Sequence, residues 1–276
     1  PYVTYDNNFI ESEWWALKQI WDKGLLYKGF KIVPYCPRCG TPLSAQEVAQ
    51  GYKDVKERSA TAKFIVKGEE NTYFLAWTTT PWTLPSNVIL SVNANETYVK
   101  AKYQDYYVIM AEALLDSVLG EGNYEVVESM KGGDLEYVKY EPLFDFQPNG
   151  EDFKGYFVTC DDYVTLTDGT GVVHIAPAFG EDDSKVGHRY DLPFVQLVNE
   201  KGEMTEETPW AGTFCKKADM AVLQALEDKD LLFDAPLFEH SYPHCWRCDT
   251  PLIYYARESW FIKMTAVKDD LIRNNN

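Results

Sequence analysis

Two stretches of this chain concentrate residues that could do chemistry. The first is Trp77-Thr78-Thr79-Thr80-Pro81-Trp82-Thr83-Leu84-Pro85-Ser86-Asn87. Its threonine hydroxyls and its Asn amide are neutral donors and acceptors, able to hold a ribose, a carboxyl group or a water without ionising. Two prolines stiffen it. On β-propensity alone it would be a Thr-rich edge strand ending in a turn. The second stretch is Gly169-Thr170-Gly171-Val172-Val173-His174-Ile175-Ala176-Pro177-Ala178-Phe179-Gly180-Glu181-Asp182-Asp183. Gly169 and Gly171 permit tight turning, and Val172 to Ile175 is a short apolar strand broken only by His174. A charged helix is expected from about Asp182. Amide dipoles at a helix start favour negative charge by roughly 0.3–1 kcal/mol, so a carboxylate held ionised there could grip an ammonium group. The plain alternative is that His174 fills a core while Asp182 and Asp183 cap the helix.

A third feature is a duplicated knuckle. Cys36-Pro37-Arg38-Cys39-Gly40-Thr41-Pro42-Leu43 and Cys245-Trp246-Arg247-Cys248-Asp249-Thr250-Pro251-Leu252 share the pattern Cys-x-Arg-Cys-x-Thr-Pro-Leu. Two such turns supply four thiolates, enough for a closed tetrahedral zinc site with no open position for substrate. Cys36, Cys39, Cys245 and Cys248 are therefore expected to hold a structural Zn2+, with His244 a less favoured ligand. No catalytic metal is expected. Cys160 and Cys215 stand alone.

The elements that must position these residues are mixed. A helix carrying Trp14, Leu17, Trp21 and Leu25 on one face is expected after an N-cap at Ser12, ending near Gly24 and Gly29. Residues 59–110 read as strands, with a hairpin through Gln104-Asp105. A short helix follows from Ala111 to Leu119, then strands near Tyr124–Ser129 and Tyr156–Cys160, separated by a polar loop around Phe144–Phe153. Phe194–Val198 is expected as a strand and Ala218 to Leu232 as an amphipathic helix. The fold class is α+β: a β-rich, barrel-like body with peripheral helices, inserted on a two-stranded zinc-bearing stalk. The body is assigned to residues 59–232 and the discontinuous base to 1–58 with 233–276.

With 276 residues, of which 45% are hydrophobic, the chain can bury one large or two modest cores. No apolar run approaches the roughly 20 residues that span a bilayer, so no membrane is expected and a cytoplasmic location is. The chain has neither signal peptide nor initiator Met and reads as a monomeric piece of a longer polypeptide. A net charge of -17 argues against a stand-alone nucleic-acid binder. Any nucleic acid would be delivered mainly by other parts of that polypeptide.

Taken together, the Thr-rich stretch and the Gly169–Asp183 stretch resemble the editing domain of isoleucyl-tRNA synthetases. Asp6 to Ser12, the first knuckle with Ser44 to Val55, and Glu258-Ser259-Trp260-Phe261 carry the resemblance over nearly the whole chain. Valyl enzymes commonly carry Lys where His174 stands, and leucyl enzymes diverge around the threonines. The His-Ile-Gly-His and Lys-Met-Ser-Lys-Ser motifs of amino-acid activation are missing, so no aminoacylation by this chain is expected. The resemblance implies hydrolysis of valine misattached to the 3' end of tRNA(Ile) and, as a second substrate, of valyl-adenylate, in partnership with the remainder of the parent synthetase. It implies that Asp183 holds the substrate ammonium, with Asp182 the runner-up. His174 would wall the side-chain pocket, and Thr79, Thr80 and Thr83 would position the ester, the terminal adenosine and the attacking water. Asn87 would support the loop. Thr78 and Ala178 would complete the substrate-facing set. Trp77 and Trp82 would stack on the adenine or pack, with packing favoured for Trp77. Two alternatives stand beside this reading: a valyl-type domain that removes threonine, and a non-catalytic zinc module that docks tRNA.

Overall fold

The computed structural model describes residues 2–146 and 153–275; residues 147–152, within the polar loop expected around Phe144–Phe153, lie outside them. The chain divides into two compact units, Pro1–Lys31 with Ala256–Asn276, and Ile32–Tyr255. The second unit holds both cysteine knuckles and both chemistry-bearing stretches.

In the first unit, the helix Asn7–Asp22 starts earlier than its apolar face suggests. Asp6 is the N-cap, and its carboxylate accepts from Asn8 N at 2.8 Å. Ser12, the expected cap, lies inside the helix and donates to Asn8 O. A short polar side chain caps only where it precedes the first helical N–H groups, and Asp6 does so. Gly24, at φ +66°, follows the helix end, whereas Gly29 lies in the strand Leu26–Cys36. Trp14 and Trp21 are exposed.

The second unit is organised by a nine-stranded mixed sheet. Its main path runs Val158–Cys160, Ile89–Val92, Val173–Ile175, Thr72–Thr78, Tyr106–Ala111, Thr97–Tyr103, Tyr124–Lys131. Ala60–Ile65 pairs with Thr72–Thr78 on one side and with Leu232–Asp234 on the other. The hairpin turns at Gln104-Asp105 as expected, with Gln104 at φ +54°. The register that matters most is one pair: Val173 lies opposite Trp77. It sets the start of the His174 strand beside the start of the threonine run. The largest apolar cluster, including Phe64, Phe74, Leu75, Leu90, Tyr98, Met110 and Tyr140, packs against this sheet.

Three expectations are corrected. Phe194–Val198 is not a strand; only Val198 forms an isolated bridge, to Met204. The helix expected over Ala218–Leu232 is Cys215–Asp228. It stops because Asp230 turns to φ +56°, and the chain then enters the Leu232–Asp234 strand. Leu231 and Leu232 are apolar in either setting, so helical periodicity ran on past the real end. The Thr-rich stretch is not an edge strand beyond Thr78. Pro81–Ser86 forms a buried 3-10 helix, with Pro81 at its first position where a missing N–H costs nothing.

Candidate hydrolytic site and metal centre

The threonine run leaves the sheet at Thr78 and coils over the end of the His174 strand. Thr78 and Thr80 hydroxyls lie 3.2 Å apart, and Thr80 and Thr83 hydroxyls 3.3 Å apart. Thr83 Oγ1 is 2.8 Å from His174 Nε2. Thr83 donates its own proton to Thr80 O at 2.8 Å. This leaves Thr83 Oγ1 to accept, and assigns the proton to His174 Nε2. His174 Nδ1 then faces the Asn87 amide at 3.4 Å. Asn87 is fixed in turn, donating to Ile89 O at 2.9 Å and accepting from Tyr140 Oη at 2.6 Å. Both ring nitrogens of His174 are thus engaged. Burial pushes its imidazole down to about 4, so it is neutral near pH 7. Both hydrogen bonds and the burial hold the ring in place. Thr79 is half-buried and makes no side-chain hydrogen bond among the described residues, which leaves its hydroxyl open to an outside partner.

The two aspartates separate cleanly. They sit in the first turn of the helix Glu181–Arg189. Asp182 is exposed and paired with Lys185 at 2.9 Å. Asp183 folds back and accepts from Ala176 N at 2.8 Å, two residues beyond His174 and just past the end of the Val173–Ile175 strand. A Cβ on Gly180 would meet the Asp183 carboxyl carbon at 2.6 Å, so the glycine makes room for it. Burial raises the Asp183 carboxyl to about 7, against the Ala176 N–H, which lowers it. The helix start therefore does not hold this group fully ionised: desolvation outweighs the dipole, whose effect is only about 0.3–1 kcal/mol. An incoming cation would restore the charge.

The other residues singled out by sequence fall into two groups. Trp82 is buried and packs edge-on against Phe179 at 5.1 Å, beside the buried Ala178. Trp77 packs edge-on against Phe238 at 5.3 Å and touches Gly169. Next to Trp77 a cavity of about 270 Å³ is lined by Tyr163, Thr165, Thr170 and Val173. Gly169 and Gly171 both take φ +74°, which the turn before the strand demands. Burial lifts the thiols of Cys160 and Cys215 to about 11 and about 12, which disfavours their reactive thiolates. Sequence reading passed over Asp219, which accepts from Trp82 N at 2.9 Å. No local signal marks it, because its partner lies 137 positions away.

The knuckles close on each other. The Sγ atoms of Cys36, Cys39, Cys245 and Cys248 all lie within 4.8 Å of one another and could hold a metal ion. Pairs stand 3.4–3.9 Å apart. Sulfurs at about 2.3 Å from a tetrahedral zinc would be about 3.8 Å apart, so the set fits a closed four-sulfur centre. All six cysteines are free of disulfides. His244 stays outside the cluster, its Nδ1 lying 3.0 Å from Tyr242 O.

The family of class I tRNA synthetases (I, L, M and V) matches the chain over residues 1–276. The chain belongs to that family. Among its curated relatives, the isoleucine–tRNA ligase of Clostridium acetobutylicum is 59% identical over 277 residues, covering 100% of this chain and 26% of the relative. Isoleucine–tRNA ligase 2 of Bacillus anthracis is 53% identical with the same coverage. The chain thus spans about a quarter of the length of the synthetases it matches. In fold it is similar to the P. knowlesi cytosolic leucyl-tRNA synthetase editing domain, at TM-score 0.51 and 12% identity, over 69% of this chain and 99% of that one. The class I synthetase chain described here therefore has the mixed, sheet-rich fold of such a domain. None of its described helices is long and apolar enough to cross a membrane.

Proposed function

We propose that this chain is the editing domain of an isoleucine–tRNA ligase and hydrolyses the ester of valine misattached to tRNA(Ile), with valyl-adenylate as a second substrate. The observation that carries the reading is the 2.8 Å contact between Thr83 and His174, which joins the threonine turn to the strand whose following residue, Ala176, holds the Asp183 carboxylate. A binding pocket gains only about 1–3 kcal/mol from one methylene, a limit for which isoleucine against valine is the standard illustration. A second, hydrolytic sieve supplies the remaining discrimination.

In this reading Asp183 receives the α-ammonium by a charge-assisted hydrogen bond. The approaching charge draws the carboxyl back to its ionised form, so recognition and ionisation are coupled. His174, locked by Thr83 and Asn87, limits the depth of the side-chain pocket and turns isoleucine away. The Thr79 and Thr80 hydroxyls orient the ester and a water, and neutral donors meet the developing oxyanion. The water adds to the ester carbonyl, the tetrahedral intermediate collapses, and the ribose oxygen leaves with a proton. Cys36, Cys39, Cys245 and Cys248 hold zinc as a structural brace. The tRNA is presented by the rest of the parent synthetase, in the cytoplasm.

The test is deacylation of Val-, Thr- and Ile-charged tRNA(Ile) by the full-length enzyme. Valine should be released and isoleucine spared. Asp183→Ala should slow valine release by about two orders of magnitude or more, as expected for loss of a buried charge partner, and leave aminoacylation intact. Preferential release of threonine would assign a valyl-type specificity. Tight tRNA binding without any turnover would assign a docking role.

A further inference from the structure

The 3-10 helix Pro81–Ser86 lacks a cap of its own: Thr80, at its N-cap, makes no side-chain capping bond. Pro81 has no N–H, so Trp82 carries the first N–H of the turn. That donor is satisfied from another element. Asp219, on the helix Cys215–Asp228, accepts it at 2.9 Å. Trp82 adjoins Thr83, whose hydroxyl meets His174. Asp219 thus reaches the imidazole through two intervening residues, and among the described residues its only bond to the turn is to the Trp82 backbone.

Its surroundings show that the carboxylate is held there at a cost. Burial raises it to about 7, while Lys216 and the Trp82 N–H lower it and Glu57 raises it. Lys216 is buried, ion-paired to Glu57 and placed 4.3 Å over the Tyr242 ring. The groups facing Asp219 are therefore Lys216 and Cys215 from its own helix, Glu57 from the strand Tyr52–Arg58, and Tyr242 from the strand Leu237–Pro243, whose His240 lies 3.7 Å from Glu57. A carboxyl placed against its own desolvation and aimed at one backbone N–H marks a group that does more than fill space.

We infer that Asp219 is a positioning residue for the hydrolytic site, fixing the Thr80–Thr83 turn against His174 through the Trp82 N–H. The inference rests on the editing reading above. Asparagine keeps an acceptor oxygen and removes the titration; alanine removes both.

Val-tRNA(Ile) deacylation is measured on the full-length synthetase as wild type, Asp219→Asn, Asp219→Ala and Asp183→Ala, from pH 5.5 to 8.5. Asp219→Ala should lower kcat about ten- to a hundredfold, since misplacement by about 1 Å can cost two decades. KM should change by less than about twofold, and aminoacylation should be unchanged. Asp219→Asn should keep most of the rate, because its amide oxygen can still accept from Trp82 N. Wild-type kcat in Asp219→Ala, or a loss in Asp219→Asn as large as that in Asp183→Ala, overturns the inference. The asparagine rate decides alone if the alanine variant does not fold. If Asp183→Ala deacylates as fast as wild type, the editing reading falls; if only the Asp219 results fail, this inference falls by itself.

Discussion

At the scale of single residues, the site is built from groups held in unusual protonation states by burial. His174 shows the sign of the effect. Its folded value is lowered from 6.5 to about 4, so its contribution to stability is present above about 6.5 and is lost as pH falls through about 4. The full span corresponds to on the order of 3 kcal/mol. Titration of the imidazole followed by NMR should find it neutral throughout pH 5.5–8, still donating from Nε2. An imidazole that protonates near 6.5 would contradict the engaged geometry. Asp183 runs the other way: its raised carboxyl contributes stability below its unfolded value near 3.8, and loses it as pH rises through about 7. The residue types were readable in the chain. Which aspartate turns inward was not, because Asp182 and Asp183 are alike in sequence and only packing against Gly180 and Ala176 separates them.

At the scale of elements, the two turns around the site are defined by what they leave out. Gly180 is extended, so its role is not conformational; the nearby Asp183 carboxyl carbon leaves no space for a methyl. Gly180→Ala should therefore keep the fold, costing about 1–3 kcal/mol of overpacking, yet displace the carboxylate. A crystal structure should show Asp183 shifted off Ala176 N, and valine release should fall at least about tenfold. An unmoved carboxylate would show that the close approach is relieved elsewhere. The Gly169 and Gly171 turn, the short His174 strand and the charged helix after it were all legible, since positive-φ glycines and apolar runs are local signals. The 3-10 coil of the threonine stretch was not. Threonine favours strands, and only burial of Trp82 against Phe179 and capping from Asp219 draw the chain into a turn.

At the scale of the whole molecule, the knuckles tie together the two ends of the Ile32–Tyr255 unit. Residues 40–244 lie between them in sequence, so a metal there would close a very long loop. Stripping the metal with a chelator should release about one zinc per chain, counted by a chromogenic indicator. It should also lower Tm by roughly 5 °C or more, given about 2–4 °C per kcal/mol for a domain of this size. Cys248→Ser should do the same. A chain that binds no metal, or melts unchanged without it, would remove the brace. The sequence by itself determined the chemistry on offer: which hydroxyls, carboxylates and thiols exist, and that the thiols come in matched pairs. Tertiary structure alone decided their placement. It placed Val173 opposite Trp77, turned one of two adjacent carboxylates inward, and brought Asp219 to a backbone donor far along the chain. Desolvation and long-range register act through space, and neighbouring letters in a chain do not encode them.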